Sequence, residues 1–272
     1  RVTISHFSLM IKETSQLFVA GPPVVERGFG KPVEKNELGG SQIHAHLSGA
    51  VDNEVASEEE AFLTIKKFLS YLPQNVWQMP PVTVSSDPAD RRDENLLSVI
   101  PRNRREMYEI GDIISAIVDR DSFFEISPAY GQSLTVGLAR LDGHAVGLMA
   151  NNTKHHGGAV NASASEKMMR FVDLCDTFHL PVVNLVDNPG FLIGTEAEQQ
   201  GTVRLGSRAL MAVYQSSIPW VSVIIRRCYG VAGAGHGKSD GLNLRYAWPS
   251  ADWGSLPIEG GVQAAYRRDI ES

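Results

Sequence analysis

Long apolar runs, clustered cysteine and an excess of one charge are all missing from this chain of 272 residues. No stretch approaches the roughly 20 consecutive apolar residues of a membrane span, and no secretory signal is visible. The two cysteines, Cys175 and Cys228, are too few to form a metal site alone. Both lie in strongly patterned segments and read as buried free thiols in a reducing compartment. A net charge of −6, with acids and bases interspersed, gives no general pull toward nucleic acid or an anionic membrane. The clusters Glu58-Glu59-Glu60 and Arg102-Asn-Arg-Arg105 read as solvated helix faces or ends.

Several catalytic signatures are missing as well. Gly-x-Ser-x-Gly does not occur, so a nucleophile elbow is unsupported. Gly233-Ala-Gly-His-Gly237 fails the dinucleotide spacing, and Gly237-Lys238-Ser239 lacks the preceding glycine of a phosphate-binding loop. His155-His156 reads as a polar loop, not a metal pair, because adjacent side chains diverge on a strand. Glu125, Glu166, Glu196 and Glu259 are isolated carboxylates, and no acid/base pair stands out.

What is present is a pair of similar units. Pro181-Val-Val-Asn-Leu-Val-Asp187 and Pro219-Trp-Val-Ser-Val-Ile-Ile225 each begin at proline and run through a short apolar strand. The first breaks into Asn188-Pro-Gly-Phe191 and Gly194, the second into Tyr229-Gly-Val-Ala-Gly-Ala-Gly-His-Gly237. Asn-Pro-Gly makes a turn without any ligand. Small residues in the second loop suit either close helix packing or close approach of a ligand. Unpaired backbone N–H groups at such breaks can hold negative charge on a carbonyl oxygen. Donors without an obvious base suit chemistry in which substrate or cofactor brings its own base.

Around these units the pattern predicts helices over 57–72 (Ser57 N-cap, Glu60 completing a capping box), 106–119, 165–179 and 196–216. The stripe of the first is Ala61, Phe62, Ile65, Phe68 and Leu69. Strands are predicted over 134–141 and 145–150 about an Asp142-Gly143 turn, then over 182–186 and 221–225, with a further helix after the second glycine turn. The alternation from Leu134 onward argues for an α/β layered fold with parallel strands, with ligands beyond their carboxyl ends.

A series of short motifs, in order, then resembles a known family. They are Gly21-Pro-Pro-Val-Val25, Glu37-Leu-Gly-Gly40, His46-Leu-Ser-Gly49, Tyr71-Leu-Pro73, Ser86-Asp-Pro-Ala-Asp90 and Phe123-Phe-Glu-Ile126. Lys167-Met-Met-Arg-Phe171, Pro189-Gly-Phe-Leu-Ile-Gly194, Tyr229-Gly-Val-Ala232 and Tyr246-Ala-Trp-Pro249 complete the series. The chain resembles the carboxyltransferase (beta) subunits of biotin-dependent acyl-CoA carboxylases over nearly its whole length.

The resemblance implies a crotonase-like ββα-spiral fold. Residues 1–72 would be the C-terminal part of an N-terminal carboxyltransferase domain, 73–101 a linker, and 102–272 most of the C-terminal, biotin-side domain. The chain would be a fragment of a longer subunit, inactive by itself, with the thioester half outside it. It implies carboxyl transfer from carboxybiotin to the α-carbon (or vinylogous γ-carbon) of an acyl-CoA. Enolate and ureido-anion intermediates would be held by backbone oxyanion holes. By position in the motifs, the N–H groups of Val231 and Ala232 would face the biotin ureido oxygen. Pro189, Gly190, Phe191 and Gly194 would line that pocket, and Tyr229 and Gly230 would shape its turn. Gly233 and Ala234 would border the acyl group, where many relatives carry Tyr-Asp; the change leaves room for a larger or branched acyl chain. Implied partners are a biotin carboxylase/biotin carboxyl carrier subunit and other copies of the chain, with no metal. The implied location is the bacterial cytoplasm, or the mitochondrial matrix in a eukaryote. The same chemistry run in reverse, in an acyl-CoA decarboxylase, and an inactive crotonase-fold subunit are the alternatives.

Overall fold

The computed structural model describes residues 2–237 and 240–271; Lys238, Ser239 and the side chains of Ile258, Glu259 and Val262 lie outside the described residues. The N-terminal part holds β1 (Leu9–Ile11), α1 (Pro22–Phe29), α2 (Lys35–Gly39), β2 (Asn53–Val55) and α3 (Glu58–Ser70), with β1 and β2 paired in parallel. Ser57 caps α3 as its sequence predicts, accepting from Glu60 N at 3.2 Å. Glu60 Oε2 in return accepts from Ala56 N, one residue before the expected partner. The apolar stripe is wider than the contact it makes. Ala61 and Phe68 are buried, whereas Phe62 and Leu69 are 63% and 56% exposed. Phe68 stacks on Phe7 at 4.4 Å and leans on Phe124, so α3 touches the main body along one narrow line.

The 73–101 segment contains no regular strand, yet it is strapped to the body. Thr83 N donates to Gly143 O at 3.1 Å. Arg91 pairs with Asp87 at 2.7 Å and donates to the carbonyls of Ser115, Ala116 and Val118, the C-terminal end of α4 (Ile110–Ile117). Those carbonyls lack intrahelical partners, so the guanidinium both satisfies them and complements the helix dipole. The helix is shorter than the predicted 106–119. Tyr108 exchanges backbone bonds with the Thr153 hydroxyl, and Glu106 O accepts from Arg226, which commits the first turn elsewhere. Arg102–Arg105 lies in a turn and not on a helix face.

The remaining elements are β3 (Phe124–Ile126), β4 (Leu134–Leu141), β5 (His144–Asn151), α5 (Ala162–Thr177), β6 (Val182–Asn188), α6 (Thr195–Gln199) and α7 (Thr202–Gln215). After them come β7 (Trp220–Tyr229), β8 (Asn243–Ala247), β9 (Asp252–Gly254), α8 (Ile258–Ala265) and α9 (Arg267–Glu271). Strands β3 to β8 form one sheet in sequence order, with β9 also paired to β7. The β3–β4–β5 pairs are antiparallel and the β5–β6–β7–β8 pairs parallel. Asp142 and Gly143, with φ of 48° and 77°, make the tight hairpin turn the sequence predicts.

Alternate strand residues feed two cores. Leu134, Val136, Leu138, Met149 and Trp220 pack with α5 and α7 on one face. Val146, Leu148, Ala150, Leu185 and Ile225 pack with α4 and the strap's Leu96 and Val99 on the other. Helix α5 begins three residues before the predicted Ser165, because Asn161 accepts from Ala164 N at 2.9 Å and sets the cap. The predicted 196–216 helix is broken at Gly201, whose φ is 76°. Among the described residues no helix stands between the second glycine turn and β8, where one is predicted. A single 3-10 turn, Val231–His236, returns the chain to the sheet through β8 and β9.

Candidate functional site

Strands β6 and β7 are parallel neighbours, and the two glycine turns leave their carboxyl ends side by side. A Cβ added to Gly190 would find only the Tyr229 carbonyl oxygen, at 4.0 Å. The first turn is fastened to the loop before α5, with Val160 N donating to Gly190 O at 3.1 Å and Leu192 N to Val160 O at 2.9 Å. The second kinks at Gly230 (φ 65°, ψ −161°) and is held by Gly230 N on Gly254 O at 3.0 Å. Its first internal bond is Gly233 N to Gly230 O at 3.1 Å. The amides of Val231 and Ala232 precede that bond, so neither has an acceptor within the turn.

The other predicted positions divide by what they touch. Phe191 turns its ring toward α7, where a Cβ at Gly206 would lie 2.6 Å from it. Gly206→Ala is therefore expected to push the ring off α7 and cost about 1–3 kcal/mol, read as a lowered denaturation midpoint. Gly194 and Ala234 are exposed, Pro189 half-buried. A Cβ at Gly233 would lie 3.1 Å from Cys228 Sγ, and one at Gly235 would lie 2.8 Å from Leu210 of α7. Close helix packing thus accounts for Gly235, while the kink at Gly230 needs a left-handed φ. Tyr229 is buried and donates to Asp252 Oδ2 at 2.6 Å, where Arg104 also donates at 2.6 Å. Burial and that bond push the Tyr229 hydroxyl up to about 12, and the same bond holds the Asp252 carboxyl below its usual range.

Beneath the turns lies a buried ionic network. Between the pairs Val186–Ile224 and Asn188–Cys228, one residue of β6 faces three of β7. That bulge aims both Arg226 and Arg227 at Asp187, which is wholly buried. Asp187 Oδ2 accepts from Arg226 Nε at 2.9 Å and the Tyr108 hydroxyl at 3.0 Å. Its Oδ1 accepts from Arg227 Nε at 2.6 Å. Arg227 continues to Gly157 O at 2.7 Å, and the Arg226 guanidinium lies over the Tyr108 ring at 5.0 Å. Burial and the adjacent carboxylate raise the Tyr108 hydroxyl well above its ordinary value.

His236 closes the second turn and is also buried. Its Nε2 meets Asn188 Nδ2 at 2.7 Å and its Nδ1 meets the Asn184 amide at 3.0 Å. Burial, reinforced by Arg245, lowers its pKa from 6.5 to about 4. The unfolded ring takes up a proton below about 6.5 and the folded ring does not until about 4. Stability from this group is complete above that window and is lost as pH falls through it, by about 3 kcal/mol. Urea denaturation at about pH 7.5 and about pH 4.5 should show the loss, and His236→Gln should remove that part of the slope.

A carboxyl transferase domain model matches residues 1–272, the whole chain. The chain belongs to the carboxyl transferase domain family. Among its relatives, the propionyl-CoA carboxylase carboxyltransferase subunit of Haloferax mediterranei is 36% identical over 99% of this chain and 52% of its own length. The methylmalonyl-CoA decarboxylase subunit alpha of Veillonella parvula is 34% identical over 98% and 52%. The fold is the crotonase-like one of solved carboxyltransferases. Transcarboxylase 12S, a hexamer described with methylmalonyl-CoA and methylmalonic acid bound, superposes with a TM-score of 0.93 at 32% identity, over 99% of this chain and 52% of that one. The chain spans about half the length of the relatives it matches.

Sequence reasoning found the two glycine turns of this carboxyltransferase domain but not the polar groups that hold them. The signal was Asn184, Asp187 and Asn188 inside an otherwise apolar strand, since polar groups buried there need partners. Asp252 and Arg104, far from both turns in sequence, left no comparable mark. Among the described residues no three His, Cys, Asp or Glu side chains gather. Both cysteines are free thiols, Cys175 buried and Cys228 half-buried. None of the described helices is long and apolar enough to cross a membrane.

Proposed function

We propose that the natural protein carrying this chain is the carboxyltransferase component of a biotin-dependent acyl-CoA carboxylase, and that this chain supplies its biotin side. The observation that carries the reading is the pair of uncovered glycine turns at the carboxyl ends of β6 and β7. Three ionisable groups beside them, Asp187, Tyr229 and His236, are each held by protein partners. None of these three is therefore free to act as a base.

The backbone fits the group. Gly194 has nothing within 4 Å of its missing Cβ, and Gly190 meets only one carbonyl oxygen, so a flat ring can lie against the first turn. A side chain at either position would fill that space. When bound, carboxybiotin would supply the carboxyl group, and the ureido anion left by its release would supply the base for the acyl α-proton. The amides of Val231 and Ala232 would hold charge on its ureido oxygen, as preorganised donors that need no rearrangement. Pro189, Gly190 and the Phe191 backbone form the facing wall, and Tyr229 and Gly230 set the angle of the donors. Gly233 and Ala234 border the acyl chain, whose thioester is held outside this chain. A biotin carboxylase/carboxyl carrier partner and self-association complete the machine.

The Veillonella parvula relative favours a second reading, the same transfer run toward decarboxylation. Incubating the natural protein with carboxybiotin and a panel of short straight and branched acyl-CoAs tests the function. A malonyl-type product from at least one is the expected result, and none from any would overturn it. Stronger transfer out of the malonyl-type thioester than into the acyl-CoA would favour the second direction.

A further inference from the structure

We propose that His236 is a positioning residue of the biotin-side pocket: a neutral ring, protonated on Nδ1, that locks the two glycine turns to each other. The inference rests on the carboxyltransferase reading for its catalytic consequence, but its geometry stands on hydrogen bonds alone.

Asn188 ends β6 and starts the first turn. Its Oδ1 accepts from Gly190 N at 2.9 Å, so its amide nitrogen is the group that faces His236 Nε2 at 2.7 Å. An amide nitrogen only donates, so Nε2 presents a lone pair. The neutral imidazole then carries its single proton on Nδ1. That N–H points at the Asn184 amide, 3.0 Å away. Asn184 Oδ1 has no other hydrogen-bond partner, and turning this amide by half a rotation lets Oδ1 accept from Nδ1. Ser222 of β7, 3.4 Å from the same amide, then donates its hydroxyl to it.

The result is one chain of bonds. It runs from Gly190 N through Asn188 to the His236 ring, then through Asn184 to Ser222. It joins the first turn, the end of the second turn and both strands, and every side chain in it is at most 3% exposed. Arg245 also stands close by, its guanidinium within 2.9 Å of where a Gly237 Cβ would sit, and opposes a second proton on the ring. The ring does not touch the reacting atoms. It fixes the distance between the wall at Gly190 and the donors at Val231 and Ala232, and misplacement of such groups by about 1 Å can lower a rate on the order of 100-fold.

The test uses the natural protein and transfer from a malonyl-type CoA to free biotin. His236→Leu is expected to cut kcat about 10- to 100-fold and to raise the biotin KM, leaving the acyl-CoA KM in place. His236→Gln, whose side-chain oxygen can accept from Asn188, is expected to recover most of the rate. Histidine 15N NMR of the unsubstituted protein should show the His236 signal as an Nδ1–H, Nε2-bare ring down to about pH 5. Amide exchange at Gly190 should be faster in His236→Leu than in His236→Gln. Wild-type kcat in a folded His236→Leu, or a ring protonated on Nε2 at neutral pH, would overturn the clamp. Where the leucine variant does not fold, the NMR pattern and the glutamine variant still decide it. Failure of the unsubstituted protein to transfer any carboxyl group would instead overturn the carboxyltransferase reading, with the clamp judged by NMR and exchange.

Discussion

Asp187→Ala is expected to destabilise the protein by about 3–5 kcal/mol, the largest loss from any single side chain near the site. Asp187 is the common acceptor of Arg226, Arg227 and Tyr108, and Arg226 is almost as buried as the carboxylate itself. Removing the carboxylate leaves a guanidinium in the interior with its charge uncompensated. That penalty, more than the loss of any one hydrogen bond, sets the size of the effect. Pairing Asp187→Ala with Arg226→Met should cost less than the two single changes added together, because the double change leaves no orphaned partner on that side. Urea unfolding of the four proteins in a cycle measures this. A strictly additive result would mean that the ion pair does not couple the ends of β6 and β7.

The second large effect concerns rate. Val231→Pro deletes one proposed donor while leaving the fold nearly untouched, for three local reasons. Val231 opens the 3-10 turn, where an N–H has no internal acceptor and proline is tolerated. Gly230 before it has an extended ψ of −161°, which a following proline accepts. The Val231 side chain is 69% exposed, so little packing is lost. The denaturation midpoint should stay close to that of the unsubstituted protein. The transfer rate should fall about 100- to 1,000-fold, the usual consequence of removing one oxyanion donor.

Much of the fold could be read from local rules. The Asp142-Gly143 hairpin, the Ser57 cap and the two apolar strands each follow from a few adjacent residues. Failures came where distant groups intervened. The 106–119 helix lost its first turn because Thr153 and Arg226 capture Tyr108 and Glu106, a contact no periodicity reveals. The helix expected after the second turn gave way to β8 and β9, since β7 runs to Tyr229 and still needs strand partners along its far edge. At the site, glycine spacing and order located both turns, yet Phe191 proved to be a packing residue facing Gly206. Arg104 reaches Asp252 from 148 residues away, and that pairing, which steadies Tyr229, has no trace in either local segment.

The measurement that tests the central claim most directly is biotin-dependent carboxyl transfer by Val231→Pro beside Val231→Ala in the natural protein. Alanine keeps the N–H and trims only an exposed side chain, so it should transfer at close to the unsubstituted rate. Proline should lose nearly all of it with its melting curve in place. Equal rates in the two folded variants would contradict a backbone donor at Val231 and with it the proposed biotin side of the site.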